Sequence, residues 1–166
     1  MVFEIFNEPQ NISAADWDVL DKQNFGTKPK RDMEATDGQK LTLGDTTVTM
    51  YITPGHTPGT ISSVFTVLDH GTTHIVALWG GVGLNPDRER VETYIRSAER
   101  FKEIAKQAGA DIILANHTDW DRSKINLPML AKGAVNPNPY IVGNAKVLNF
   151  LTVAEECAKA RVPDAN

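Results

Sequence analysis

Apolar and polar residues alternate along this chain in two rhythms, and the switches between them mark its elements. From Gln39 the period is two. Leu41 and Leu43 alternate with polar residues, Gly44-Asp45 turns the chain, and Val48, Met50 and Ile52 alternate again, which predicts a hairpin. A β-branched run, Thr60 to Val67, predicts a third strand. Asp69-His70-Gly71 reverses it into a fourth, His74–Trp79, which Gly80, Gly81 and Gly83 end. The period then becomes helical: Val91, Ile95, Ala98, Phe101, Ile104, Ala105 and Ala108 form one stripe. Asn85 reads as the N-cap of this helix, with Pro86 at its first position and Asp87 in its first turn, and Gly109 follows its end. Asp111 to Ala115 is a short apolar strand that delivers Asn116-His117-Thr118-Asp119, and a loop with several Pro and Gly leads to a last helix, about Asn144–Arg161. Near the start, Ser13 reads as the N-cap of a helix Ala14–Lys22, with Asp16 in the capping-box position. Residues 23–38 read as a loop, and residues 1–12 carry no clear period. The order helix, four strands, helix, strand, helix predicts an α/β (α+β) chain, a mostly antiparallel sheet with helices on one face.

Composition narrows the function classes. A length of 166 residues fits a single domain, 1–166. The formal net charge is −4 with Lys and Arg spread along the chain, which argues against nucleic acid or an anionic membrane as partner. No apolar run approaches the roughly 20 residues of a membrane span. The N-terminus has neither a basic n-region nor a long apolar stretch, so no signal peptide is expected and the location expected is cytoplasmic. The single cysteine, Cys157, excludes an internal disulfide and reads as a small buried hydrophobe in the last helix.

The chemistry concentrates at two histidines. His56 lies in Thr53-Pro54-Gly55-His56-Thr57-Pro58-Gly59, where two prolines fix φ and two glycines permit unusual angles. Such a loop holds one side chain in place, as a metal ligand requires; it also reads as a rigid turn that contains a histidine. His117 leaves an apolar strand into the polar loop 116–123, a common position for site residues and for loop histidines alike. Asp119 and Asp121 read as solvated loop charges, with Asp119 a possible further ligand. His70 and His74, either side of a turn, read as surface residues.

The residues now in view carry a resemblance. Residues 53–59 resemble the third histidine motif of the metallo-β-lactamase superfamily. Asp37 to Gly44 resembles the strand entry leading to it. Leu114 to Asp119 is similar to the later strand that presents the last histidine ligand. Asn138-Pro139-Tyr140 through Cys157 resembles the C-terminal helix of bacterial members close to the subclass B3 lactamases. The resemblance covers roughly Ser13 to the C-terminus. It implies half of a four-layer αβ/βα sandwich. It also implies one or two zinc ions that activate a water against an ester, amide, thioester or phosphodiester bond. On that basis His56 helps hold the first metal and His117 the second. The family's His-x-His-x-Asp-His, expected shortly before Ser13, does not occur in this sequence, and Trp79-Gly80-Gly81-Val82 stands where many members carry a bridging aspartate. A catalytic zinc normally takes three protein ligands and a water. The resemblance therefore implies a truncated, C-terminal-half hydrolase that is incompetent alone, with zinc weak or absent. The alternatives are a non-catalytic homo-oligomeric domain, or half of a split zinc hydrolase completed by a partner chain. An apolar sheet face without its usual cover predicts a homodimer through that face; the competing expectation is that residues 1–12 fold across the sheet and cover part of it.

Overall fold

The computed structural model describes residues 13–22, 31, 34–84, 87–133 and 137–162. Its elements are α1 (Ala14–Lys22), β1 (Lys40–Leu43), β2 (Thr46–Ile52), β3 (Ile61–Asp69), β4 (Thr72–Trp79), α2 (Arg88–Ala108), β5 (Ile112–Ala115), α3 (Ser123–Ala131) and α4 (Asn144–Lys159). The strands form one five-stranded sheet in the order β1-β2-β3-β4-β5. The first three pairings are antiparallel and β4–β5 is parallel. The predicted fold class, helix Ala14–Lys22, hairpins and long helix are all present.

The strand period sorts side chains onto two faces. Tyr51, Val64, Ile75, Ala77, Trp79 and Ile113 point to the helical side. There they pack with Val91, Tyr94, Ala98, Phe101 and Ala105 of α2 and Val147, Leu151, Ala154 and Ala158 of α4. The centre of this layer is aromatic. The Trp79 ring lies 5.6 Å from both Tyr94 and Phe101, and its indole N–H donates to the Tyr94 hydroxyl at 3.3 Å. Burial pushes the Tyr94 hydroxyl up to about 12. Lys102 of α2 donates to Glu155 of α4 at 2.5 Å, and Lys159 contacts the same carboxylate. Burial alone would raise Glu155, but the two ammonium groups outweigh it and hold the carboxyl below its usual range.

Four expectations are corrected. The segment after β5 is not all loop: Ser123–Ala131 is helical, although Pro128 lies inside it and Arg122 begins it with φ 63°. The proline removes one backbone donor but leaves the preceding turn intact. The cap of α2 is Asp87, whose side chain accepts from the Arg90 N–H at 3.0 Å; Asn85 and Pro86, expected there, lie outside the described residues. Cys157 is exposed rather than buried, because the inward stripe of α4 runs through Val147, Leu151, Ala154 and Ala158. His74 is not a surface residue: it is half-buried with Nδ1 2.6 Å from Asp111 Oδ2. That bond and the Ile75 N–H outweigh burial and keep the Asp111 carboxyl below its usual range. The expectation for residues 1–12, and most of that for 23–38, falls outside the described residues. No described helix is long and apolar enough to cross a membrane.

Candidate functional site

The loop Thr53–Thr60, between β2 and β3, is fastened at nearly every residue. The Thr53 N–H donates to Thr60 O at 2.7 Å, and Thr53 Oγ1 meets Ser62 Oγ at 2.7 Å. The Ser97 hydroxyl of α2 donates to Pro54 O at 2.7 Å. Gly55, at φ 145°, lies against the α2 backbone, where a Cβ would fall 2.6 Å from Tyr94 Cβ and 2.7 Å from Tyr94 Cα. Gly59 is equally constrained on the other side, since a Cβ there would fall 1.8 Å from Ser13 Oγ and 2.6 Å from Asp16 Cγ. The two glycines let the loop wedge between α2 and the start of α1.

Asp16 is the residue that sequence reasoning misplaced. Its backbone N–H does reach Ser13 Oγ, at 3.5 Å, as a capping box requires. Its buried carboxylate, however, crosses to the loop, accepting from the Gly59 N–H at 2.9 Å and the Thr57 hydroxyl at 2.8 Å. Burial raises its pKa, and the Thr57 and Gly59 hydrogen bonds and the nearby His56 only partly offset that. A spacing of 43 residues between donor and acceptor leaves no local signal for this contact.

His56 is set by the far side of the same wedge. Its Nδ1 lies 3.1 Å from Gly83 O. A carbonyl can only accept, so Nδ1 carries the proton and the lone pair of the neutral ring sits on Nε2. That is the tautomer and the backbone partner typical of a metal-binding histidine. Gly83, at φ 97°, faces the ring, where a Cβ would fall 3.1 Å from Nδ1.

The sheet register brings the second histidine loop to the same end. Ile52 pairs with Ile61, Ser63 with Leu78, and Trp79 with Ala115. The ends of β2, β4 and β5 and the start of β3 therefore share one edge of the sheet. Residues 80–84 link the two loops, for Gly83 O holds His56 and Gly80 O accepts from Asn116 Nδ2 at 3.1 Å. Gly80 is required here because a Cβ would fall 2.0 Å from Ile61 O. Asn116 Oδ1 is buried with no hydrogen-bond partner among the described residues. His117 itself is exposed, as are Thr118, Asp119 and Trp120. Asp119 is paired with Lys124 at 2.7 Å, and Asp121 accepts from the Ala115 and Ser123 N–H groups at 3.1 and 2.8 Å. Asp121 is thus structural rather than merely solvated.

His70 and His74 lie at the opposite end of the sheet, around the β3–β4 turn. Two of the four histidines therefore cannot reach the site. Among the described residues no group of three or more His, Cys, Asp or Glu side chains is placed to hold a metal ion. The donor set present does not fit a catalytic zinc, which needs three. A cavity of about 470 Å³ flanks the wedge on its α2 side, lined by Pro54, Gly55, Thr57, Pro58, Arg90 and Thr93 among others, and neither His56 nor His117 lines it.

No known family model and no curated protein matches this sequence. Solved structures do. A point mutant of the metallo-β-lactamase FEZ-1 from Legionella gormanii matches at 22% identity and a TM-score of 0.71, covering 91% of this chain and 60% of its own. BJP-1, a subclass B3 metallo-β-lactamase of Bradyrhizobium japonicum, matches at 26% identity and TM-score 0.63, covering 82% and 52%. GOB-18 from Elizabethkingia meningoseptica, a metallo-β-lactamase, matches at 20% and TM-score 0.62, covering 93% and 62%. The chain spans about 60% of the length of the first of these. A sheet of this order, with its wedge loop and its two helices on one face, thus has the metallo-β-lactamase fold.

Proposed function

We propose that this chain is a metallo-β-lactamase-like hydrolase unit whose own side chains do not complete a zinc site, so that it does not turn over substrate by itself. The observation that carries this is the donor count at the site edge. His56 has the tautomer and backbone anchor of a ligand and His117 sits on a loop at the same edge, while Asp119 is engaged by Lys124. Two imidazoles can hold zinc only weakly, and they leave the ion without the third anchor that fixes an attacking water. A second reading, in which another chain supplies the missing donors, is favoured by the convergence of the two histidine loops and by the unpartnered Asn116 Oδ1.

Zinc titration of the purified chain, followed by assay of a chromogenic lactam and an activated ester, tests this. The expected result is weak zinc binding that weakens further in His56→Ala, with hydrolysis at the background rate. Near-stoichiometric, tightly held zinc together with turnover that disappears in His56→Ala would overturn it.

A further inference from the structure

A second cavity, of about 300 Å³, opens where the loop after β5, α3 and α4 meet, and neither His56 nor His117 lines it. Its walls are aromatic and aliphatic: Trp120, Tyr140 and Phe150 with Ile125 and Met129. They are held in place by the protein itself. The Trp120 ring lies edge-on to Phe150 at 6.3 Å, and the Tyr140 hydroxyl donates to Ser123 Oγ at 2.9 Å. Yet Trp120, Ile125 and Met129 are all exposed, so these walls face water rather than a core. Apolar side chains gathered around a concavity mark a binding site, whereas scattered ones do not.

Three polar groups converge on the same space. Arg122 and Lys146 line it, and neither forms an ion pair among the described residues. Arg122 holds φ 63°, a costly conformation outside glycine, and the Ile125 and Asn126 N–H groups both donate to its carbonyl at 2.9 Å. Asn126 is 6% exposed and lines the cavity, and its side-chain amide has no hydrogen-bond partner among the described residues. An amide buried in that way is stabilised by any ligand atom that pairs with it. The one carboxylate on the lining, Asp121, is already taken by the Ala115 and Ser123 N–H groups.

We propose that this cavity binds a small organic acid, with its carboxylate between Arg122 and Lys146 and an aromatic or branched body against the three rings. The inference does not depend on the metal reading above. A neutral apolar ligand would leave two cations and a buried amide unanswered, and an inorganic anion would leave the rings uncovered. The volume lies at the small end of ligand sites, which suits a single-ring acid.

Isothermal titration of the whole chain with phenylacetate, and with uncharged phenylacetamide of the same shape, tests this. The expected result is saturable phenylacetate binding in the roughly 0.1–1 mM range, with the amide at least about fivefold weaker. Arg122→Gln and Lys146→Gln, both at exposed positions, should keep the wild-type circular dichroism and each weaken phenylacetate about fivefold. His56→Ala should leave the affinity unchanged, which separates this cavity from the histidine edge. No binding at about 20 mM, equal affinity for acid and amide, unchanged affinity in either charge variant, or loss of binding in His56→Ala would overturn the proposal.

Discussion

The two histidine loops lie at one edge of one sheet, yet they are built differently. The loop around His56 is wedged between two helices and bonded on both sides: Asp16 holds Thr57 and Gly59, Ser97 holds Pro54, and Gly83 holds His56. The loop after β5 is pinned at its root by Asn116 and Asp121; His117, Thr118 and Asp119 at its tip are exposed, and the Trp120 ring leans edge-on against Phe150 of α4. The difference shows that a rigid position for one imidazole comes from close backbone packing, which needs glycine, while an exposed imidazole needs only a strand end. Precision at His56 is maintained by contacts that have nothing to do with metal.

That contrast can be broken from the rigid side first. Gly59→Ala should cost about 3 kcal/mol, the upper end of the overpacking range, because Ser13 and Asp16 must retreat. Urea denaturation measures it, and a neutral result would mean the α1 start is not firmly docked. Asp16→Ala leaves the Gly59 N–H and the Thr57 hydroxyl without their acceptor and should cost about 2 kcal/mol by the same measurement. Asp121→Ala, at the root of the exposed loop, should cost about 1 kcal/mol, since its two N–H partners can turn to water.

A smaller effect is pH-dependent. The folded pKa of Asp16 is raised above 3.8, so the native state holds that proton more tightly than the unfolded chain does. The resulting stabilisation is complete below the unfolded value of 3.8 and is lost as pH rises through the folded value. Thermal midpoints of wild type and Asp16→Asn, compared from pH 3 to 7, should therefore diverge in favour of the variant as pH rises, and parallel curves would contradict the burial argument. The smallest effect belongs to His117→Ala, whose side chain is exposed: its stability should stay within about 0.5 kcal/mol of wild type. A large loss there would show that the loop tip is packed after all.

Much of this was legible locally. The turn chemistry of Gly44-Asp45 and Asp69-His70-Gly71 marked the hairpins, and Gly109, at φ 71°, marked the end of α2. The Pro-Gly-His-Thr-Pro-Gly run announced a rigid loop because its constraint is intrinsic to its residues. What partners that loop was not legible. Asp16 sat in a position where capping explained it, and the competing contact lies 43 residues away. The helix Ser123–Ala131 was hidden by Pro128, whose usual meaning is a break. His74 and Cys157 exchanged their expected environments. Burial of a single residue depends on which way its strand or helix faces, and a local turn or a lone thiol does not encode that.

The sequence by itself determined the five strands and three of the four described helices, the two periodicities, the fold class, and the absence of a His-x-His-x-Asp-His motif among four histidines. Those follow from short-range sterics and from counting. Only the tertiary structure decided that β2, β4 and β5 end at a common edge, that His56 is anchored by Gly83 and its loop by Asp16 of α1, and that His70 and His74 are stranded at the other end. Pairing register and helix docking are set by long-range packing, which one-dimensional spacing does not contain.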